Sequence, residues 1–199
     1  VFTHEQATYF QNCAMRLVAA LPYRPLLHIC NTAGIERFPE YHFDMCRLGI
    51  GLYGFSFLHS NAHHPSTNGL TNVCTLKTTI LSIKIVPAKA TIGYGRQTTL
   101  CEPRQIAVIP IGYADGFDRR FSNYGGEVLV RGKRCPVVGN VCMDQTMIDV
   151  TGTDAQPGDY AIIFGEQLPI QELANRLGTI PYEVLTSISR RVQRIYFYE

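Results

Sequence analysis

The 199-residue sequence has no tryptophan, no lysine before Lys77 and no histidine after His64. A lysine amine therefore cannot act in the early part of this chain, nor an imidazole base in the later part. No apolar run reaches the roughly eighteen residues that a membrane helix requires. Charged residues make up 17%, against about 25% in ordinary soluble domains. Eighteen basic and sixteen acidic residues give a net charge of +2, which leaves no electrostatic footprint for nucleic acid. No C-x-x-C occurs, and His and Cys show no paired ligand spacing, so no metal site is expected. The 17 Gly and 11 Pro are dispersed, unlike a low-complexity linker. An initiator Met is also missing. Val1 leads directly into Thr3-His4-Glu5-Gln6, which reads as a capped helix start, and a piece of a longer protein is expected.

What is present can bury a core, at 46% hydrophobic residues. The histidines are 4, 28, 42, 59, 63 and 64, and the lysines are 77, 84, 89 and 133. Two regions, 1–64 and 65–199, meet at this change of composition. Seven cysteines, an odd number, without a secretory signal suggest reduced thiols and a cytoplasmic protein. Cys30 and Cys46 lie in apolar runs, where a free thiol behaves as a small hydrophobe.

Residues 3–20 read as an amphipathic helix, with Ala7, Phe10, Cys13, Ala14, Leu17 and Val18 at three- and four-residue steps. Residues 26–30 and 45–48 are short apolar runs, closed by Asn31-Thr32-Ala33-Gly34 and Gly49-Ile50-Gly51. They read as buried strands of βα units. Residues 57–70 are a polar linker rich in His and Asn. Strands are expected over 73–87, 105–112, 126–131, 134–138, 143–150, 159–164 and 191–198. The only helix expected in that region is Ile170–Leu177, stopped by Gly178. The fold class is α/β plus all-β.

Backbone N–H groups at the two turns, with the Thr32 hydroxyl, suit an anion. In (β/α)8 barrels a phosphate site commonly follows the last strands. Ordinary loop glycine explains either turn equally well. Arg47 lies in an apolar run where a buried Arg needs a partner, or it reaches solvent at the strand end. His28 is either a satisfied core residue or a catalyst. Tyr94 and Tyr113, each flanked by Gly, are either turn tyrosines or the proton-transfer groups of a region without histidine. Asp115, Asp118, Arg119 and Arg120 read as a solvated charged loop. Residues 139–145 read as a hairpin.

Six segments resemble the alanine racemase family, the fold-type III enzymes that use pyridoxal phosphate. They are HICNTAG (28–34), FDMCRLGIGLYG (43–54), IGYG (92–95), IPIGYADGFDRR (109–120), VVGNVCMDQTMIDV (137–150) and TIPYEVLTSISRRVQRIYF (179–197). The resemblance implies the last βα units of a (β/α)8 barrel followed by a mainly antiparallel β domain. It implies that Tyr94 moves the Cα proton on one face of the cofactor-bound alanine. Arg47 would bond the pyridine nitrogen, with His28 as its partner. Asn31, Thr32, Gly49 and Ile50 match the phosphate-binding positions. Met143 matches a position whose backbone N–H meets the alanine carboxylate, and Tyr113 and Arg119 match the access channel. It also implies a head-to-tail homodimer in the intact enzyme, and D-alanine supply for peptidoglycan.

The sequence departs from the family at three places. The family's cofactor lysine lies early in the barrel, and no lysine replaces it here, so the chain alone is expected to be inactive. Arg190 stands where some members place a tyrosine on the phosphate, and Asn140 where some place a channel arginine. Two other readings stay open: a racemase of serine or of a broader set of amino acids, and, for this chain alone, a non-catalytic β module that dimerises.

Overall fold

The computed structural model describes residues 1–56 and 70–197, which form two compact units, Val1–Val73 and Cys74–Glu199. Apart from Leu70, the polar linker expected over 57–70 lies outside the described residues.

In the first unit, helix α1 (Phe2–Ala20) buries Ala7 and Ala14. Seven residues apart, these share one face. Val1 occupies the N-cap position and no side chain caps the helix, so the cap expected from Thr3 does not form. His4 Nδ1 lies 2.6 Å from the Tyr41 hydroxyl, and its ring meets Phe38 edge-on. Phe10 packs on Phe43. These aromatic contacts hold α1 to residues 38–43.

The runs 26–30 and 45–48 lie side by side, joined where Asp44 N–H donates to Leu27 (3.0 Å) and Arg47 N–H to Cys30 (2.9 Å). No strand forms in either run, contrary to expectation. A parallel strand normally has both faces covered and bonds continuing along its length. Here Leu26, Met45 and Leu48 are exposed. Cys30 is buried as expected, while Cys46 is half-buried. Helix α2 (Thr32–Arg37) starts directly after the first run. A 3-10 turn, Ile50–Tyr53, follows the second.

The second unit contains nine short strands among its described residues: β1 (Leu76–Thr79), β2 (Ser82–Val86), β3 (Thr91–Ile92), β4 (Thr98–Thr99), β5 (Arg104–Ile109), β6 (Glu127–Val130), β7 (Lys133–Pro136), β8 (Thr146–Asp149) and β9 (Tyr160–Phe164). All pairings are antiparallel. One sheet has the order β1-β9-β6-β7, a second β2-β5-β8, and β3-β4 is a separate pair. Val128, Val130, Val137, Val138, Ile148 and Ile163 form the centre of the core.

The single strand expected over 73–87 is two strands. Ile80 N–H donates to Asp159 beside the first sheet, and Leu81 N–H donates to Val108 in the second. The chain changes sheets between these residues. Helix α3 (Ile170–Leu177) ends at Gly178 as expected, with Gly178 in the left-handed region at φ 67°.

Helix α4 (Pro181–Ser187) is unexpected. Its Tyr, Val and Thr suggest a strand, but Pro181 at the first turn marks a helix start. The final strand expected over 191–198 is absent from residues 191–197. Instead the Arg194 guanidinium donates to the carbonyls of Ile188, Ser189 and Val192. No helix among the described residues is long and apolar enough to cross a membrane.

Candidate active site

In the first unit the site is built around Thr32, which is 2% exposed. Its hydroxyl oxygen accepts from Gly49 N–H at 2.9 Å and from Gly51 N–H at 3.3 Å. Both lone pairs are therefore occupied, and the hydroxyl proton remains to be donated. A Cβ on Gly51 would stand 2.8 Å from Thr32 Cγ2, so the turn closes against Thr32 only with glycine there. Ile50 lies buried between the two glycines.

Asn31 caps α2, its side-chain oxygen accepting from Gly34 N–H at 3.0 Å. The first amides of the helix, Thr32 and Ala33, precede its first internal bond. Arg47 donates one N–H to the Ile29 carbonyl at 3.1 Å. That leaves four of its five donors. His28, expected as the partner of Arg47, has a buried Nδ1 with no hydrogen-bond partner, and among the described residues no bond joins the two side chains. Burial pushes the Cys30 thiol upward, with the nearby Cys46 and Glu40 adding to the shift and Arg47 opposing it. The structure thus brings His28, Thr32, Arg47, Gly49 and Ile50 together along two adjacent runs.

In the second unit three loops converge. Tyr94 opens a 3-10 turn, Tyr94–Arg96, between Gly93 and Gly95, whose φ values are 71° and 75°. Its side chain is 78% exposed. Asn140 Nδ2 donates to the Tyr94 carbonyl at 2.8 Å, tying this turn to the 139–145 loop. That loop in turn meets the GYADG loop. Tyr113 N–H donates to Cys142 and Ala114 N–H to Met143, each at 3.0 Å. Met143 and Tyr113 are 54% and 45% exposed. The Met143 N–H has no bond among the described residues. Arg119 begins a 3-10 turn, Arg119–Phe121, and its side chain is exposed. Arg190 is exposed beside the same loop, because Ser189 N–H donates to the Asp115 carbonyl at 3.0 Å.

The family model described as alanine racemase, C-terminal domain, matches residues 73–196, and the one described as alanine racemase, N-terminal domain, matches residues 1–57. The chain belongs to the alanine racemase family. It is 43% identical to alanine racemase 2 of Caldanaerobacter subterraneus subsp. tengcongensis, over 99% of this chain and 51% of that protein. Among solved structures, alanine racemase of Streptomyces coelicolor superposes with a TM-score of 0.89 at 34% identity, covering 98% of this chain and 51% of that one. The Bartonella henselae alanine racemase, solved with covalently bound pyridoxal phosphate, gives 0.84 at 32% identity, over 99% and 52%. The chain spans about half the length of the curated relatives it matches.

One structural feature of this family member escaped the sequence. Asp115, expected in a solvated charged loop, is instead tied down. Asp115 accepts from Gly112 N–H at 2.9 Å and from Arg191 Nε at 2.6 Å. Arg191 also pairs with Asp144 at 2.5 Å. These two carboxylates hold the guanidinium pKa well above its usual value, the Asp115 bond contributing most. Arg191 thus fastens the C-terminal segment to both the Tyr113 and Met143 loops. The partners lie 76 and 47 residues apart, so no local signal could reveal them. Asp118, by contrast, pairs with its neighbour Arg120, which holds its carboxyl below the usual range.

Proposed function

We propose that this chain supplies the cofactor-phosphate end and the C-terminal β domain of a pyridoxal-phosphate-dependent racemase interconverting L- and D-alanine. The observation that carries this reading is Tyr94, held out on a glycine-flanked turn and tied to the loop that bears Met143.

The residues present fit the cofactor. A buried Thr32 hydroxyl with a proton to donate, together with the first amides of α2, suits a phosphate, while Gly49 gives its own N–H to Thr32 and so holds that hydroxyl in place. Asn31 orients that helix start through its cap. The unpartnered buried Nδ1 of His28 and the free donors of Arg47 leave polar capacity beside it. When bound, pyridoxal phosphate supplies the electron sink that lets an amino acid lose its Cα proton. With the cofactor bound, Arg47 would be the donor to its pyridine nitrogen, and because a guanidinium does not give up its proton it would leave that nitrogen unprotonated and so limit side reactions. Tyr94 takes or returns the proton at Cα on one face of alanine. The Met143 N–H receives the substrate carboxylate, and Tyr113 and Arg119 line the way in.

No lysine precedes Lys77. The resemblance puts the cofactor lysine early in the barrel, so the whole enzyme would supply it from outside these residues, and this chain alone would be inactive. The exposed Tyr94 and Met143 project into the site of a second subunit, in a head-to-tail homodimer. The enzyme acts in the cytoplasm and provides D-alanine for peptidoglycan. The test is polarimetric: the full-length enzyme carrying this chain racemises L-alanine faster than L-serine. Equal or greater turnover of serine would transfer the assignment to a broader amino-acid racemase, and no turnover of either would reject it.

A further inference from the structure

Tyr94 stands on a backbone with little support of its own. Gly93, Gly95 and Arg96 all have positive φ, at 71°, 75° and 51°. The turn's internal bond, from Arg96 N–H to Gly93, is long at 3.4 Å. Such a segment has many alternative conformations unless something outside it selects one.

Two side-chain ties do so. Arg96 Nε donates to Thr91 Oγ1 at 3.1 Å, within the same hairpin. The other tie comes from a different loop: Asn140 Nδ2 donates to the carbonyl of Tyr94 itself at 2.8 Å. Asn140 is held in turn. Its oxygen accepts from Asn123 Nδ2 at 3.3 Å, and Asn123 Nδ2 also donates to Gln97 Oε1 at 3.4 Å. The Asn123 oxygen accepts from the Thr98 hydroxyl at 2.7 Å, and Thr98 is buried. Asn123 N–H donates to the Gly139 carbonyl at 2.9 Å. Asn123 itself has φ 53°, a conformation asparagine tolerates better than most residues. The amides therefore run from the buried Thr98 through Asn123 and Asn140 to the backbone of Tyr94.

Asn140 lacks charge, and its carboxamide can donate to Tyr94 while accepting from Asn123. Asp would keep the acceptor and lose the donor. The network has one free end, at Tyr94, and one anchored end, at Thr98.

We propose that Asn140, backed by Asn123, is a positioning residue that fixes the backbone of Tyr94 for proton transfer. This rests on the assignment of Tyr94 as the acid–base residue. Small displacements of a proton-transfer group cost rate rather than affinity.

The test uses the full-length enzyme with its cofactor and the variants Asn140→Asp, Asn140→Ala, Asn140→Gln, Asn123→Ala and Tyr94→Phe. Asn140→Asp and Asn140→Ala should lower kcat on the order of ten- to a hundredfold, with KM for alanine changed less than about threefold. Asn123→Ala should act in the same direction but more weakly, and Asn140→Gln, which keeps a donor, should recover part of the loss. The primary isotope effect with Cα-deuterated alanine should rise for the enantiomer whose proton Tyr94 removes, and stay level for the other. A merely structural defect would not separate the two. Full kcat in Asn140→Asp and Asn140→Ala, with Tyr94→Phe inactive, would overturn the positioning role alone. So would a fall in kcat with the isotope effects unchanged for both enantiomers. An active Tyr94→Phe would instead overturn the assignment on which the proposal rests.

Discussion

Replacing Thr32 with valine tests the phosphate end directly, because two simple accounts predict opposite signs. Valine has nearly the shape of threonine and exchanges the hydroxyl for a methyl. If apolar burial alone ruled, the variant would gain up to about 0.8 kcal/mol. The structure says otherwise. Thr32 Oγ1 is the acceptor for Gly49 N–H and Gly51 N–H. Removing it strands one fully buried donor and one partly buried donor. At about 1–3 kcal/mol for a buried donor left unsatisfied, with the half-buried Gly49 counting for less, the loss should be about 2–4 kcal/mol. Thr32→Ser is the control. It keeps the acceptor and deletes only the methyl that packs against Gly51, for a loss of about 1 kcal/mol. Equilibrium urea unfolding of the cofactor-free protein, followed by circular dichroism, should rank the wild type above Ser and Ser above Val. A valine variant as stable as the wild type, or more stable than the serine variant, would refute the reasoning.

Two further predictions concern the frame of the site. Gly112→Ala places a Cβ 2.2 Å from the Cys142 carbonyl oxygen and 2.4 Å from that of Met143. Neither is a side chain that can swing away, so a loss above about 2 kcal/mol is expected by thermal unfolding, and a change below about 0.5 kcal/mol would contradict the close approach. Asp44 accepts from Leu27 N–H at 2.9 Å and from Arg24 at 2.8 Å. The Leu27 bond first and the Arg24 bond second hold its carboxyl below the usual range. A carboxyl depressed in the folded state contributes stability above its unfolded pKa of about 3.9 and loses it as the pH falls through the lower folded value. The stability gap between the wild type and Asp44→Asn should therefore be constant near neutrality and close below about pH 4. A gap that persists unchanged to pH 2 would contradict the assignment.

Local pattern in the sequence reached the elements whose cause is local. Helix α1 announced itself through its apolar spacing and α3 through its spacing and Gly178, and the strand grammar of the second unit is visible in runs such as Met147-Ile148-Asp149-Val150. Tertiary decisions were not legible. Whether 73–87 is one strand or two depends on Ile80 and Leu81 bonding to different sheets. Whether 26–30 is a strand depends on neighbours that cover its faces. Residues 191–197 alternate like a strand, yet Arg194 folds them back through three carbonyls. The candidate site divides in the same way. Thr32 and Gly49 stood out through residue type and spacing, whereas Tyr94 was set apart from an ordinary turn tyrosine only by the family resemblance. The Asp115–Arg191–Asp144 clamp and the Asn123–Asn140–Tyr94 network link loops far apart in sequence. Only folding makes them neighbours.

The central claim is that Tyr94 moves the Cα proton of alanine, and its phenol is the group to remove. The full-length enzyme carrying Tyr94→Phe, incubated with either enantiomer of alanine in deuterium oxide, should retain cofactor and substrate binding. It should lose racemisation by on the order of a hundredfold or more. Deuterium should still enter Cα of the enantiomer that the opposite base serves, with its configuration retained. Racemisation at the wild-type rate, with deuterium appearing equally in both enantiomers, would contradict the account.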